Sequence, residues 1–238
     1  MAVFFISDLH LQAERPDLEK AFYRFLDTYI QAGETLYILG DFFDSWIGDD
    51  EDEPFYLGVK AKLREVSSRA ATYFMHGNRD FLIGGKFAED TGMTLLQDPH
   101  MIQLNGENIL LMHGDSLCTD DLEYMQFRQQ VRGDAWQQHI LRLPLQQRRM
   151  IAADLRAKSK SMTSLKAEDI VDVNQIEVET VLKAHNVKTL IHGHTHRPNR
   201  HCLSLDGLDM ERIVLGDWDK TGWYLKYANG FDLIEFDI

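Results

Sequence analysis

Cysteine is scarce in this chain. Only Cys118 and Cys202 occur among 238 residues, far apart and outside Cys-x-x-Cys spacing, which excludes a disulfide framework and a zinc ribbon. Long apolar runs are also missing, since no stretch approaches the roughly 20 apolar residues that a membrane-spanning helix needs. The apolar start, Met1 to Ile6, lacks the basic and extended apolar regions of a signal peptide, so a cytoplasmic protein is expected. Nor is there an excess of positive charge. With 38 Asp and Glu against 25 Lys and Arg the net charge is −13, which argues against nucleic acid as a partner. Five prolines and no low-complexity run leave an ordinary globular composition. The length fits one domain over residues 1–238, with room for an insertion.

What the chain has in abundance is apolar runs that stop at a metal-capable side chain. Leu36 to Leu39 runs into Gly40-Asp41, the pattern of a buried strand that delivers a carboxylate to the carboxyl edge of a sheet, where α/β folds build their sites. The first strand, Met1 to Ile6, ends in Ser7-Asp8-Leu9-His10. Ala71 to Phe74 leads to His76-Gly77-Asn78-Arg79-Asp80, and Ile109 to Met112 leads to His113-Gly114-Asp115. A later run, Lys188 to Ile191, ends in His192-Gly193-His194-Thr195-His196.

Helical spacing of apolar residues from Leu18 to Ile30 and again from Leu57 to Ala70 places helices between the early strands, which predicts an α/β sheet. Beyond His194 the pattern changes to short β-like runs at 201–205, 212–215, 223–227 and 233–236, read as an antiparallel second sheet packed on the first. The acidic run Asp49 to Glu53 reads as a solvated loop. Leu117 to Lys166 has no strand pattern, shows helix-like apolar spacing, and carries nine basic against five acidic residues, a local charge of +4. It reads as an inserted helical cap, with Leu145, Ile151 and Leu155 on its apolar side.

Five strand ends thus offer Asp8 and His10, Asp41, Asn78, His113, and His192 with His194 as seven ligands. Taken singly, each is more often a turn former or a strand-end residue. Their repetition beside glycine argues instead for two divalent ions, and a nitrogen and oxygen donor set suits Mn²⁺, Fe²⁺ or Zn²⁺. A pair of ions about 3.5–4 Å apart would acidify a water and clamp an in-line displacement at phosphorus. Arg79 would neutralise charge beside them.

The motifs Asp8-x-His10, Gly40-Asp41-x-x-Asp44, Gly77-Asn78-Arg79-Asp80, His113-Gly114-Asp115 and Gly193-His194-x-His196 resemble those of the calcineurin-like metallophosphoesterase superfamily. The resemblance implies a four-layer α-β-β-α sandwich with an inserted helical cap over 117–166. It implies a site in which Asp41 bridges two Mn²⁺ ions, one also held by Asp8, His10 and His194 and the other by Asn78, His113 and His192. Asp41, Asn78, Arg79 and His113 would be catalytic.

Further segments, including Asp44-Ser45-Trp46-Ile47-Gly48-Asp49-Asp50 and Asp172-Val173-Asn174, are similar to the branch that cleaves the pyrophosphate of UDP-2,3-diacylglucosamine in lipid A biosynthesis. That likeness implies attack of water on the α-phosphorus, release of UMP and lipid X, and substrate contacts from Asn78, Arg79, Asp121, Tyr124, Arg156, Ser159, Thr163, Lys166 and His192. Thr163 departs from the Asn common in that branch. A monomer held peripherally on the anionic cytoplasmic face of the inner membrane is expected. The alternatives are a phosphoesterase for soluble nucleotides or phosphodiesters, and a non-catalytic interaction protein on the same fold.

Overall fold

The computed structural model describes every residue except 164–169, 171 and 206, together with the side chains of 160–163. A first sheet is built on three parallel strands, β1 (Val3–Ile6), β2 (Thr35–Leu39) and β3 (Ala71–Met75), joined through α1 (Pro16–Tyr29) and α2 (Pro54–Ser67). After α3 (Gly85–Thr91), the short β4 (Thr94–Leu96) extends this sheet beside β3. The chain then crosses to a second sheet through β5 (His100–Leu104) and β6 (Glu107–Leu111). Next come three helices without a strand, α4 (Leu122–Val131), α5 (Asp134–Leu141) and α6 (Leu145–Thr163), followed by α7 (Gln175–His185). Then β7 (Thr189–His192), β8 (Asn199–Leu205) and β9 (Leu208–Val214) complete the second sheet in the order β5-β6-β7-β9-β8.

The last two strands, β10 (Thr221–Tyr227) and β11 (Phe231–Asp237), return to the first sheet, where β10 pairs antiparallel with β1. The four C-terminal runs therefore do not make a sheet of their own, as the sequence reading expected. They split two and two, because β9 finds a parallel partner in the already buried β7 while β10 covers the open edge of β1.

Alternation along each strand sets the layers. Phe4 and Ile6 of β1, with Leu36 and Ile38 of β2, face Phe22, Phe25 and Leu63 on the outer helices. Their neighbours Phe5, Tyr37 and Leu39 face Ile109, Leu111, Ile191 and Ile213 of the second sheet. On the far side Leu110 and Leu190 pack beneath Val178 and Leu182 of α7. The result is the α-β-β-α sandwich.

Phe22 is fully buried and meets the ring of Phe42 edge-on at 5.0 Å, so α1 directly supports the residue next to Asp41. Truncating a buried aromatic removes about 3–5 kcal/mol. Phe22→Ala should lower the urea midpoint by a corresponding amount, measured by fluorescence, with an unchanged slope.

Candidate metal centre

The carboxyl ends of β1, β2 and β3 and of β6 and β7 meet at one edge of the sandwich. Asp8 and His10 follow β1, Asp41 follows β2, Asn78 and Arg79 follow β3, His113 follows β6, and His194 and His196 follow β7. Two groups form there. Asp8, His10 and His196 bring ligand atoms within 4.8 Å of one another, and so do Asp41, His113 and His194. Asn78 joins the second group, its Oδ1 lying 3.0 Å from Nε2 of His113.

Backbone conformation does much of the aiming. Asp8, His10, Asp41, His194 and His196 all have positive φ, between 48° and 68°. Non-glycine residues seldom adopt this region, and each instance costs on the order of 1–3 kcal/mol, so five together mark a site where packing enforces geometry. Sequence periodicity carries no sign of it. Glycine supplies the remaining room: a Cβ on Gly77 would lie 2.2 Å from the backbone nitrogen of Asp41, and one on Gly193 would lie 2.3 Å from the Asp8 carboxylate.

Hydrogen bonds then fix each ligand. The Asp8 carboxylate accepts from Ser7 Oγ at 2.6 Å and from the His194 N–H at 2.8 Å, both at Oδ2, while Oδ1 makes no hydrogen bond and has His196 Nε2 at 3.4 Å. Nδ1 of His10 is likewise buried without a partner. Asp41 accepts the Arg79 N–H at 2.8 Å, and Nδ1 of His113 donates to the Leu39 carbonyl at 2.8 Å, which leaves Nε2 directed at Asp41 and Asn78. Asp80 sits beneath, wholly buried, taking N–H groups from Phe42 and Gly77 at 2.8 Å each. It thereby binds the loop after β2 to the loop after β3.

The electrostatics are those of a cation site. Burial opposes charge on His113, yet Asp41, Asp8 and Asp115 outweigh it and raise its pKa to about 9. Burial, followed by the Asp41 charge, lifts Asp80 to about 7. For Asp8, burial pushes upward, but His196, His113 and His10 hold the carboxyl below its usual range. His194 is pressed down to about 4 by burial and by His113, so it stays neutral and keeps a lone pair to offer. Two buried ligand atoms without hydrogen bonds, the neutral imidazole of His194 and carboxylates within 4.8 Å fit a pair of divalent ions, whose charge would take the place of the proton that the carboxylates hold on His113.

The pairing of His192 with His194 is corrected here. His192 is the last residue of β7 and shares the face of Leu190, so alternation turns it toward the α7 side of the sheet. There its Nδ1 faces the Gly193 carbonyl at 2.8 Å and its Nε2 faces Arg212 at 3.3 Å. Burial, then Arg212, lowers its pKa to about 3. His196 takes the place beside Asp8 and His10, with Nε2 at 3.4 Å from Asp8 Oδ1 and 3.2 Å from His10 Nε2. Its appearance in the quoted Gly193-His194-x-His196 motif was the available signal.

Beside the centre, a cavity of about 360 Å³ opens between the core and the three inserted helices. Arg79 and Asn78 stand at its core side, and Phe81, Trp136, Ile140, Ile151 and Leu155 give it apolar walls. Asp121, Tyr124, Arg156 and Ser159 line it too. Leu145 is not among its walls, Lys166 lies outside the described residues, and so does the side chain of Thr163. Asp121 also caps α4, accepting the Tyr124 N–H at 3.0 Å.

Two features escaped sequence reading. Asp115, fully buried, accepts from Tyr124 Oη and Arg128 Nε at 2.8 Å each, and Arg132 lies 3.6 Å away and donates to the Gly77 carbonyl at 2.9 Å. This network anchors α4 next to Asn78, with the Tyr124 ring stacked 6.0 Å from that of His194. The second is the acidic run, a loop that is solvated at Asp50, Asp52 and Glu53 as expected but is also tied down by partners. Asp49 accepts from Trp46, Gly84 and Phe87, Asp50 pairs with the buried Arg148, and Glu51 and Asp52 pair with Arg149. Arg156 similarly grips Asp44 through two nitrogens. Much of the positive charge of the insertion thus docks it to the core.

Paired nitrogen and oxygen ligand groups at the edge of a two-sheet sandwich define a metallophosphoesterase. Residues 1–198 match the calcineurin-like phosphoesterase family, and the chain belongs to it. Among its relatives, the UDP-2,3-diacylglucosamine hydrolase of Pseudomonas aeruginosa is 53 % identical over 240 residues, covering all of both chains. That of Cellvibrio japonicus is 50 % identical over 240 residues, again covering all of both. The chain is a hydrolase with a candidate dinuclear metal site.

The two loop histidines can be told apart by experiment. His196→Ala should leave the protein with less than half the wild-type metal content by elemental analysis after dialysis, whereas His192→Gln should retain it in full. Equal loss in both variants would contradict the ligand groups described.

Proposed function

We propose that this enzyme hydrolyses the pyrophosphate bond of UDP-2,3-diacylglucosamine by water attack on the α-phosphorus, giving UMP and 2,3-diacylglucosamine 1-phosphate (lipid X). The observation that carries the reading is the apolar cavity of about 360 Å³ whose core side holds Asn78 and Arg79 next to the ligand groups. A substrate with two acyl chains and a diphosphate needs both environments within one molecule's reach. Full-length identity of 53 % with a protein named for this substrate supports it.

In this reading Asp8, His10 and His196 would hold one Mn²⁺, and His113, His194 and Asn78 with Asp41 would hold the other. Ions so held supply charge neutralisation at phosphorus and a water of lowered pKa. Arg79, half-buried, with its Nε 3.8 Å from Asp41 Oδ2 but making no hydrogen bond in the protein, binds the diphosphate oxygens and offsets the negative charge that grows on them. Asp80 contributes by keeping the Asp41 and Asn78 loops in register. The leaving group is a sugar phosphate whose second ionisation lies near pH ~6, so it departs without a strong general acid.

Among the insertion residues, Tyr124 and Ser159 are assigned to the phosphate and sugar end of the cavity. Arg156 acts with Asp44 as a clasp at its rim, and Ile151 and Leu155 are assigned to the acyl chains. Thr163 and Lys166 are retained as substrate contacts on the family resemblance. No helix among the described residues is long and apolar enough to cross a membrane. In this reading lipid is taken from a membrane surface, and the exposed Leu122, Leu141 and Met150 on the insertion are apolar groups available to meet the cytoplasmic face of the inner membrane.

Hydrolysis of UDP-2,3-diacylglucosamine with Mn²⁺ in H₂¹⁸O should place the label in UMP, read by mass spectrometry; label in lipid X would reject attack at the α-phosphorus. Arg79→Ala should lower kcat by roughly 10²–10³-fold, the loss typical of removing one charge-stabilising donor. Ile151→Asn and Leu155→Asn should reduce turnover of the diacylated substrate at least tenfold more than turnover of a small aryl phosphodiester. Equal losses on both substrates would restore the soluble-phosphodiester alternative.

A further inference from the structure

A second cavity, of about 290 Å³, lies behind the metal loop on the face of the second sheet that carries α7. Thr195, Arg197, His201, Arg212 and Asp172 contribute to its walls. Alternation explains why β-strand residues reach it: His201 and Arg212 are cross-strand partners on β8 and β9 and share the face of Leu203 and Met210.

Two polar atoms of these wall residues are buried without a partner in the protein, Nε of Arg212 and Oγ1 of Thr195. Arg212 is only 7 % exposed. Its Nη1 meets Nε2 of His192 at 3.3 Å, and a neutral imidazole accepts that hydrogen bond but brings no negative charge. Among the described residues the acid in the wall is Asp172, whose carboxylate is engaged by Arg197 at 2.6 Å. Among the described residues, two guanidinium groups against one carboxylate leave the lining with one positive charge in excess. A buried guanidinium with an unused donor and surplus charge is matched best by an oxyanion, whose paired oxygens fit its fork.

We propose that this cavity binds a phosphate-type oxyanion, held by Arg212, Arg197 and Thr195, at a site separate from the metal centre. The ligand is either free orthophosphate or the phosphate of a phosphomonoester. Asp172 sets the charge and orientation of Arg197, and Asn174 fixes the segment by capping α7 through the Ile176 and Glu177 N–H groups. The Asp172-Val173-Asn174 motif, which the metal chemistry does not use, thereby acquires a role. Thr195 lies between His194 and His196 in the chain, so an occupant would touch the loop that carries both.

The test must separate this cavity from the metal centre, which also attracts phosphate. Crystals of the metal-loaded protein soaked in tungstate locate each anion by tungsten anomalous scattering. The expected map has a peak against the Arg212 guanidinium in addition to any at the metal centre. Tungsten at the metal centre only would overturn the proposal. In solution, metal-loaded wild type and Arg197→Gln are titrated calorimetrically with orthophosphate and, separately, with UMP. Wild type should bind one more equivalent of orthophosphate than the variant. The same difference with UMP would identify a phosphomonoester as ligand, and its absence would identify the free anion. Equal orthophosphate stoichiometry in both proteins would reject the site.

Discussion

One hydrogen bond ties the catalytic edge together: the N–H of His194, on the loop after the second sheet's β7, donates at 2.8 Å to the carboxylate of Asp8, on the loop after the first sheet's β1. It spans the two sheets and joins both ligand groups, since Asp8 belongs to one and His194 to the other. The contact requires Gly193, because a side chain there would collide with both Asp8 and Ser7 at 2.3 Å. It also requires left-handed backbone at Asp8 and His194, a conformation that only dense surroundings sustain. The sandwich core supplies that density, with Phe5, Leu39, Leu111 and Ile191 all fully buried between the sheets. Sheet packing and ligand geometry are therefore one constraint seen at two scales.

Charge is arranged around this edge in tiers. Asp8, Asp41, Asp80 and Asp115 are all buried, and four carboxylates in so small a region repel one another strongly at low dielectric. Each is met differently: Asp8 by His194 and Ser7, Asp41 by the Arg79 backbone, Asp80 by two N–H groups, and Asp115 by arginines. The raised pKa of His113, about 9, shows that net negative potential survives these arrangements. That surplus suits a centre for divalent cations.

The sandwich and most ligand positions were legible because they follow from period and edge chemistry. Asp8, His10, Asp41, Asn78 and His113 each end an apolar run, and a sheet puts the ends of neighbouring parallel strands in one place. His192 misled because the last residue of a strand still obeys its alternation, which turns it to the α7 side. His196 gained its place through positive φ at His194 and at itself, which no spacing rule encodes. The short β4 and β5 carried too few residues for a periodic signal, and the division of the last four strands between two sheets depended on which edges were already covered. The acidic run looked wholly solvated because its partners, Arg148 and Arg149, lie almost a hundred residues away in the insertion.

That long-range pairing bears on how one chain combines a polar centre with a cavity for a greasy ligand. Apolar surface alone would let the insertion collapse onto the core and close the space between them, since nothing in hydrophobic burial is directional. Ion pairs are directional and of fixed length. Arg148 with Asp50, Arg149 with Glu51 and Asp52, Arg156 with Asp44, and Arg128 with Asp115 set the insertion at several points around the core. The pair of Arg128 with the buried Asp115 is the one best shielded from solvent, whereas Asp50 and Asp52 stand in water and their pairs are screened. Between these anchors Trp136 meets the Phe81 ring at 6.0 Å and Ile140 joins the core cluster that holds Leu82, while Ile151 and Leu155 line the space that is left. The positive charge that looked from the sequence like a phosphate-binding or membrane-binding face serves first to tie the insertion to the core, and Arg79, rooted in the core beside Asp41, is a cation that stands where the cavity meets the ligand groups.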